Sequence, residues 1–123
     1  MKNKSGFTMI ELCCVIAIIA TLMSTVMPMY KKSIQRTKET ALKQDLHTFR
    51  KLISEYYKDN DRWPKSLEEL VKEGYMRAVP EDPITQSKET WVYVPSDDDE
   101  NDLYDVKSGA KGETLDGIKY SEL

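Results

Sequence analysis

Gly6-Phe7-Thr8-Met9-Ile10-Glu11, running on through Leu12 into the unbroken Cys13 to Met27 segment, is the stretch on which the reading of this chain turns. Ahead of it stands a short basic leader, Met1 to Gly6, with Lys2 and Lys4. From Phe7 to Met29 the residues are apolar or small apart from one charge, Glu11. At a rise of about 1.5 Å per residue, a helix over that stretch reaches roughly 35 Å, and a bilayer core is about 30 Å thick. The segment is expected to span a membrane.

Glu11 is the informative residue. A carboxylate on a membrane helix costs several kcal/mol, on the order of 2.5 to 3.5 by insertion scales for comparable charges at mid-helix, so something must compensate it. Two compensations are open. Glu11 sits near the helix end and reaches the headgroups, or it awaits a positive partner brought by another chain. A secretory signal peptide would end in a small-x-small cleavage site, which Ser24 to Pro28 offers only poorly, and would not carry Glu11 in its core. A lipoprotein anchor needs small residues just before a cysteine, whereas Cys13 follows Glu11 and Leu12.

The residues Lys4 to Leu12, the Cys13 to Met27 run, and Pro28 and Tyr30 after it resemble the amino-terminal signature of type IV pilins and of the pseudopilins of type II secretion. The resemblance implies that a membrane prepilin peptidase cuts after Gly6 and N-methylates the new terminus, Phe7. It also implies that Glu11 pairs with the amino terminus of a neighbouring subunit as that subunit joins a filament.

Composition fits a small anchored protein, since 123 residues allow one modest soluble domain after the helix. The formal charge is −3, and without Lys2 and Lys4 it becomes 16 basic against 21 acidic groups, or −5. Such a balance excludes a polyanion binder by net charge. Cys13 and Cys14 are adjacent, with Cα atoms about 3.8 Å apart, below the roughly 4.4 to 6.8 Å usual across a disulfide. They are expected to be buried small hydrophobes. The positive-inside count does not decide orientation, because Lys31, Lys32, Arg36 and Lys38 follow the span as Lys2 and Lys4 precede it. A periplasmic soluble domain is what the resemblance implies.

Beyond Pro28, apolar residues recur at helical spacing at Ile34, Ala41, Leu42, Leu46, Phe49, Leu52, Ile53, Tyr56 and Tyr57. One helix from Phe7 to about Lys58, roughly 75 Å long, is expected. Pro28 should bend it without breaking it. His47, the single histidine, has no nucleophile or second ligand beside it and is assigned no chemistry. Asp59-Asn60-Asp61 before Trp63-Pro64 should stop the helix. Ser66-Leu67-Glu68-Glu69 reads as a capping box opening a short helix, about Leu67 to Lys72, that ends at Gly74. Trp91 to Val94 and Leu103 to Val106 read as an antiparallel hairpin, with Ile118 to Tyr120 as a third neighbour in the sheet.

The middle of the chain extends the resemblance. Tyr56, Asn60 to Pro64, Leu70-Val71, Tyr75 to Val79 and Pro80-Glu81-Asp82-Pro83 look like the major pseudopilins of type II secretion. That family is similar also in a glycine-rich carboxy-terminal loop that holds one Ca²⁺ with aspartates and main-chain carbonyls. Ser108 to Gly117 is the corresponding stretch, and Asp116 its one clear match. Lys111 departs from the pattern, standing where an acid is expected, so a loop closed by hydrogen bonds without metal is the alternative. The acidic run Asp97 to Asp102 lacks the alternate spacing and mid-loop glycine of an EF-hand and reads as a solvated turn.

The expectations are therefore an α+β, pilin-like fold, with a leader at 1–6, a membrane and filament-core helix at 7–29, and a periplasmic domain at 30–123. The function implied is that of a non-enzymatic pseudopilus subunit assembling with itself into a helical filament. Its implied partners are the prepilin peptidase, the inner-membrane assembly platform and minor pseudopilins, with no nucleic acid. A type IV pilin for adhesion, motility or DNA uptake is the alternative, although those chains often carry a carboxy-terminal disulfide loop that is lacking here. A tethered ligand-binding or catalytic domain is disfavoured, since no Ser, Cys and His constellation, phosphate-cradling loop or metal-ligand cluster is visible.

Overall fold

A computed structural model describes Gly6 and residues 8–123. Phe7, the expected new terminus, and Lys2 and Lys4 of the leader lie outside the described residues. The elements are α1 (Met9–Asn60), α2 (Leu67–Lys72), β1 (Trp91–Val94), β2 (Asp105–Ser108) and a closing 3₁₀ turn, Tyr120–Glu122. A long helix, a short helix and a two-stranded antiparallel sheet make this the expected α+β, pilin-like fold. The chain separates into two compact units, Met1–Ile34 and Gln35–Leu123.

In the first unit, Thr8 caps α1. Its hydroxyl oxygen accepts from the Glu11 N–H at 3.1 Å, and its carbonyl accepts from the Leu12 N–H at 3.1 Å. Helical structure runs on through Pro28. The hydroxyls of Thr21 and Thr25 donate to the carbonyls of Ala17 and Leu22, each at 2.8 Å, so neither seeks a partner outside the helix. Every described residue from Thr8 to Ile34 is exposed. That corrects one expectation: Cys13 and Cys14 are exposed free thiols, because among its described residues this unit is a capped helix with nothing to cover it.

In the second unit, α1 turns Leu42, Leu46, Phe49, Ile53 and Tyr56 inward at alternating steps of four and three, all at 1 % exposure or less. Ile34, Ala41 and Tyr57, also expected on the apolar face, are exposed. The stripe packs with Leu67 and Leu70 of α2, Trp91 of β1, Leu103, Val106, Ala110 and Tyr120. Phe49 meets Trp91 edge to face, with ring centroids 4.9 Å apart. The helix ends at Asn60, two residues beyond Lys58, where Asp61 takes a left-handed φ of 55° and donates its N–H to Tyr57 O at 2.8 Å.

α2 has its expected bounds, and Ser66 Oγ accepts from the Glu69 N–H at 3.2 Å. The reciprocal half of the box is displaced by one residue. Glu69 Oε2 accepts from the Lys65 N–H at 2.6 Å, while Oε1 accepts from the Tyr56 hydroxyl at 2.6 Å and from Arg62 at 3.1 Å. Gly74, at φ +85°, stops the helix as expected.

The hairpin forms two residues later in its second strand than expected. Trp91 pairs with Ser108 and Val94 with Asp105. Leu103 stays out of the strand, because its N–H donates to Pro64 O at 2.7 Å and its side chain is buried in the core. Ile118 to Tyr120 is no third strand. Residues Glu113 and Lys119 form an isolated bridge, and Tyr120 opens the 3₁₀ turn. The loop's N–H groups serve a tight turn and a helix side chain instead of a ladder.

Candidate functional site

Two regions carry the residues singled out by sequence. At the amino-terminal end, Gly6 and Glu11 are both exposed. Thr8 and Glu11 stand three apart, so the Thr8 cap places Glu11 in the first turn of α1. An acid there interacts favourably with the helix dipole, worth typically about 0.3 to 1 kcal/mol, which offsets part of its cost in lipid. Among the described residues α1 is the one helix with a window long and apolar enough to cross a membrane: mean hydropathy 2.3 over 18 residues, none of it buried. Ala17, Thr21 and Ser24 recur at i, i+4 and i+7 on one side, where small residues let another helix approach.

The second region is the loop from Ser108 to the 3₁₀ turn. Asp116, the expected metal ligand, is exposed, and its carboxylate lies 3.9 Å from the Arg36 guanidinium. Thr114 organises the loop: its N–H donates to Ile118 O at 2.8 Å, its carbonyl accepts from Gly117 at 3.0 Å, and its Oγ1 accepts from the Asp116 and Ile118 N–H groups. The Tyr120 N–H donates to Gly112 O at 3.2 Å. The Leu115 N–H leaves the loop and donates to both carboxylate oxygens of Glu39 on α1, at 3.1 and 3.2 Å.

Glu39 is 4 % exposed. Besides Leu115, its Oε2 accepts from Gln35 Nε2 at 3.0 Å and from the Tyr120 hydroxyl at 3.1 Å. Gln35 Nε2 also donates to the Tyr120 hydroxyl oxygen at 2.7 Å. Burial pushes the Glu39 carboxyl up, but the hydrogen bonds from Leu115, Gln35 and Tyr120, helped by Arg36, outweigh it and hold Glu39 below the ordinary carboxylate range.

A second buried carboxylate, Asp82, ties the Pro80 to Pro83 loop to β2. It accepts from the Ser108 hydroxyl, from the Ile84 N–H at 2.8 Å and from the Thr85 N–H at 3.3 Å. Sequence reasoning missed Glu39 and Asp82 as structural acids. Glu39 had one signal, its position three residues before Leu42 on the core stripe; Asp82 between two prolines had the Asx-turn spacing to Ile84.

The acidic run Asp97 to Asp102 folds back on its own main chain: Asp102 accepts from the Ser96 N–H at 2.6 Å and Asp99 from the Asn101 N–H at 2.9 Å. Among the described residues no three His, Cys, Asp or Glu side chains are grouped to hold a metal ion. His47 is exposed.

The family described as "Prokaryotic N-terminal methylation motif" matches residues 1–27. Type II secretion system core protein G of Escherichia coli is 32 % identical, covering 90 % of this chain and 85 % of its own length. The protein of that name from Pseudomonas aeruginosa is 30 % identical over 67 % of this chain and 69 % of its own. The type IV wide pilus major component PilA4 of Thermus thermophilus is 34 % identical over 60 % and 56 %. No solved structure matches the chain significantly.

Proposed function

This chain belongs to the type II secretion system core protein G family, and from that membership we propose that it is a structural subunit of a secretion pseudopilus, anchored and polymerised through the first part of α1. The observation that carries this is an apolar window of 18 residues in α1 with none of it buried, in a chain whose residues 1–27 match the methylation motif. Apolar surface of that extent needs a cover. Lipid of the inner membrane supplies it before assembly, and neighbouring α1 helices supply it in the filament.

Prepilin peptidase cuts after Gly6 and methylates the amine of Phe7. Glu11 of one subunit then meets the Phe7 ammonium of its neighbour. Two charges that are each costly in a low dielectric neutralise one another, which fixes axial register as well as affinity. The soluble unit, Gln35–Leu123, is on the periplasmic side. The role is mechanical and requires no catalytic group; the assembly platform and minor pseudopilins are its partners in growth of the filament.

The test is co-expression of the chain with a prepilin peptidase and assembly platform. Glu11→Ala should enter the membrane and be processed while filaments disappear from the sheared fraction. Normal filaments from that variant would contradict the pairing. The likeness to PilA4 supports a second reading, a type IV pilus subunit. The two separate on deletion of the gene: loss of protein export with motility intact favours the pseudopilus, and the reverse favours the pilus.

A further inference from the structure

Glu39 is the one buried charged residue among the described residues of α1, and the groups converging on it are all donors. We propose that the Glu39 carboxylate closes the carboxy-terminal loop, Gly112 to Tyr120, in place of a divalent cation, so that this loop folds without calcium. The inference rests on packing within the second unit and stands independently of the filament reading.

A calcium ion gathers six to eight oxygens, from carboxylates, carbonyls and water, around a positive centre. Here the polarity is reversed. An anion supplied by the helix gathers the Leu115 N–H, the Gln35 amide and the Tyr120 hydroxyl. Several of the loop's oxygens are already engaged. The carbonyls of Gly112, Thr114 and Ile118 accept main-chain N–H groups at 3.2, 3.0 and 2.8 Å. Asp116 faces the Arg36 guanidinium, and Lys111 places a further cation directly before the loop. Placing a cation on Glu39 would displace the Leu115 N–H and strand a donor that has no other acceptor in the loop. The residues present therefore do not fit a calcium site of the kind the resemblance implies.

The experiment uses the full chain in detergent micelles, with thermal unfolding and peptide-level hydrogen exchange followed in EGTA and in about 10 mM CaCl₂, above the roughly 10⁻⁴ to 10⁻³ M of weak extracellular sites. The expected Tm is the same in both within a degree. A bound ion at such excess would raise it by about 5 °C or more. In Glu39→Gln, exchange across Thr114 to Ile118 should quicken at least tenfold and Tm should fall, with no recovery in calcium. A calcium-dependent rise of the wild-type Tm, stoichiometric calcium binding by calorimetry, or wild-type exchange and Tm in Glu39→Gln would each overturn the proposal. Should Glu39→Gln fail to fold, Tyr120→Phe removes a single donor: faster exchange across the same segment supports the clasp, and unchanged exchange overturns it.

Discussion

Glu11 and Glu39 lie on the same helix in opposite surroundings: Glu11 is exposed in an apolar span, and Glu39 is 4 % exposed beneath the carboxy-terminal loop. Glu39 makes stability depend on pH with a definite sign. Its folded pKa is held below the ordinary 4.5, so its contribution is complete above that value and is lost as pH falls through the folded pKa. The groups facing it are Gln35 and Arg36 on its own helix and the Leu115 N–H and Tyr120 hydroxyl from the loop, with Asp82 acting on Tyr120. Thermal melts between about pH 7 and pH 3 should therefore show a steeper loss of Tm below pH 4.5 in wild type than in Glu39→Gln. Parallel curves would remove Glu39 from the acid response. Gly109 gives a second test. A Cβ there would run into the Thr90 carbonyl oxygen, so Gly109→Ala should cost about 1 to 3 kcal/mol in denaturant unfolding. Glu11 stands out in sequence as a charge in an apolar run. Glu39, within Thr37-Lys38-Glu39-Thr40, looks like any solvated helix acid, and only its spacing to Leu42 hints at burial.

Among the elements, the first part of α1 was legible through its unbroken apolar run, the rest of it through its period of 3.6, and α2 through its cap and its glycine stop, since these signals are local. The sheet was not legible to the same degree. Leu103-Tyr104-Asp105-Val106 and Asp105-Val106-Lys107-Ser108 are comparable strand candidates, and the choice falls to non-local bonds, Leu103 to Pro64 and Ser108 to Asp82. The same holds for Ile118 to Tyr120, whose strand-like composition yields to the claims of Thr114 and Glu39 on the loop's donors. The stripe on α1 makes a quantitative expectation. Phe49, 1 % exposed and packed on Trp91, should cost about 3 to 5 kcal/mol when truncated to Ala. Exposed His47→Ala should change stability by less than about 0.5 kcal/mol. Equal costs in equilibrium unfolding would contradict the assignment of the core face.

The two units of the molecule differ in what they bury. The second unit has its own core, built from one face of α1, α2, the hairpin and Tyr120. The first unit leaves Ile10, Ile16, Ile18, Leu22, Met23 and Val26 more than half exposed. Membership of the core protein G family and the methylation motif over residues 1–27 support the proposal that membrane lipid and then neighbouring helices cover this surface. The most direct measurement is the intact mass of the protein extracted from membranes, with its amino-terminal peptide sequenced. A chain beginning at N-methylated Phe7 is the predicted result. A chain that still begins at Met1, or that is cut beyond Met27, would contradict the account and remove the partner argued for Glu11.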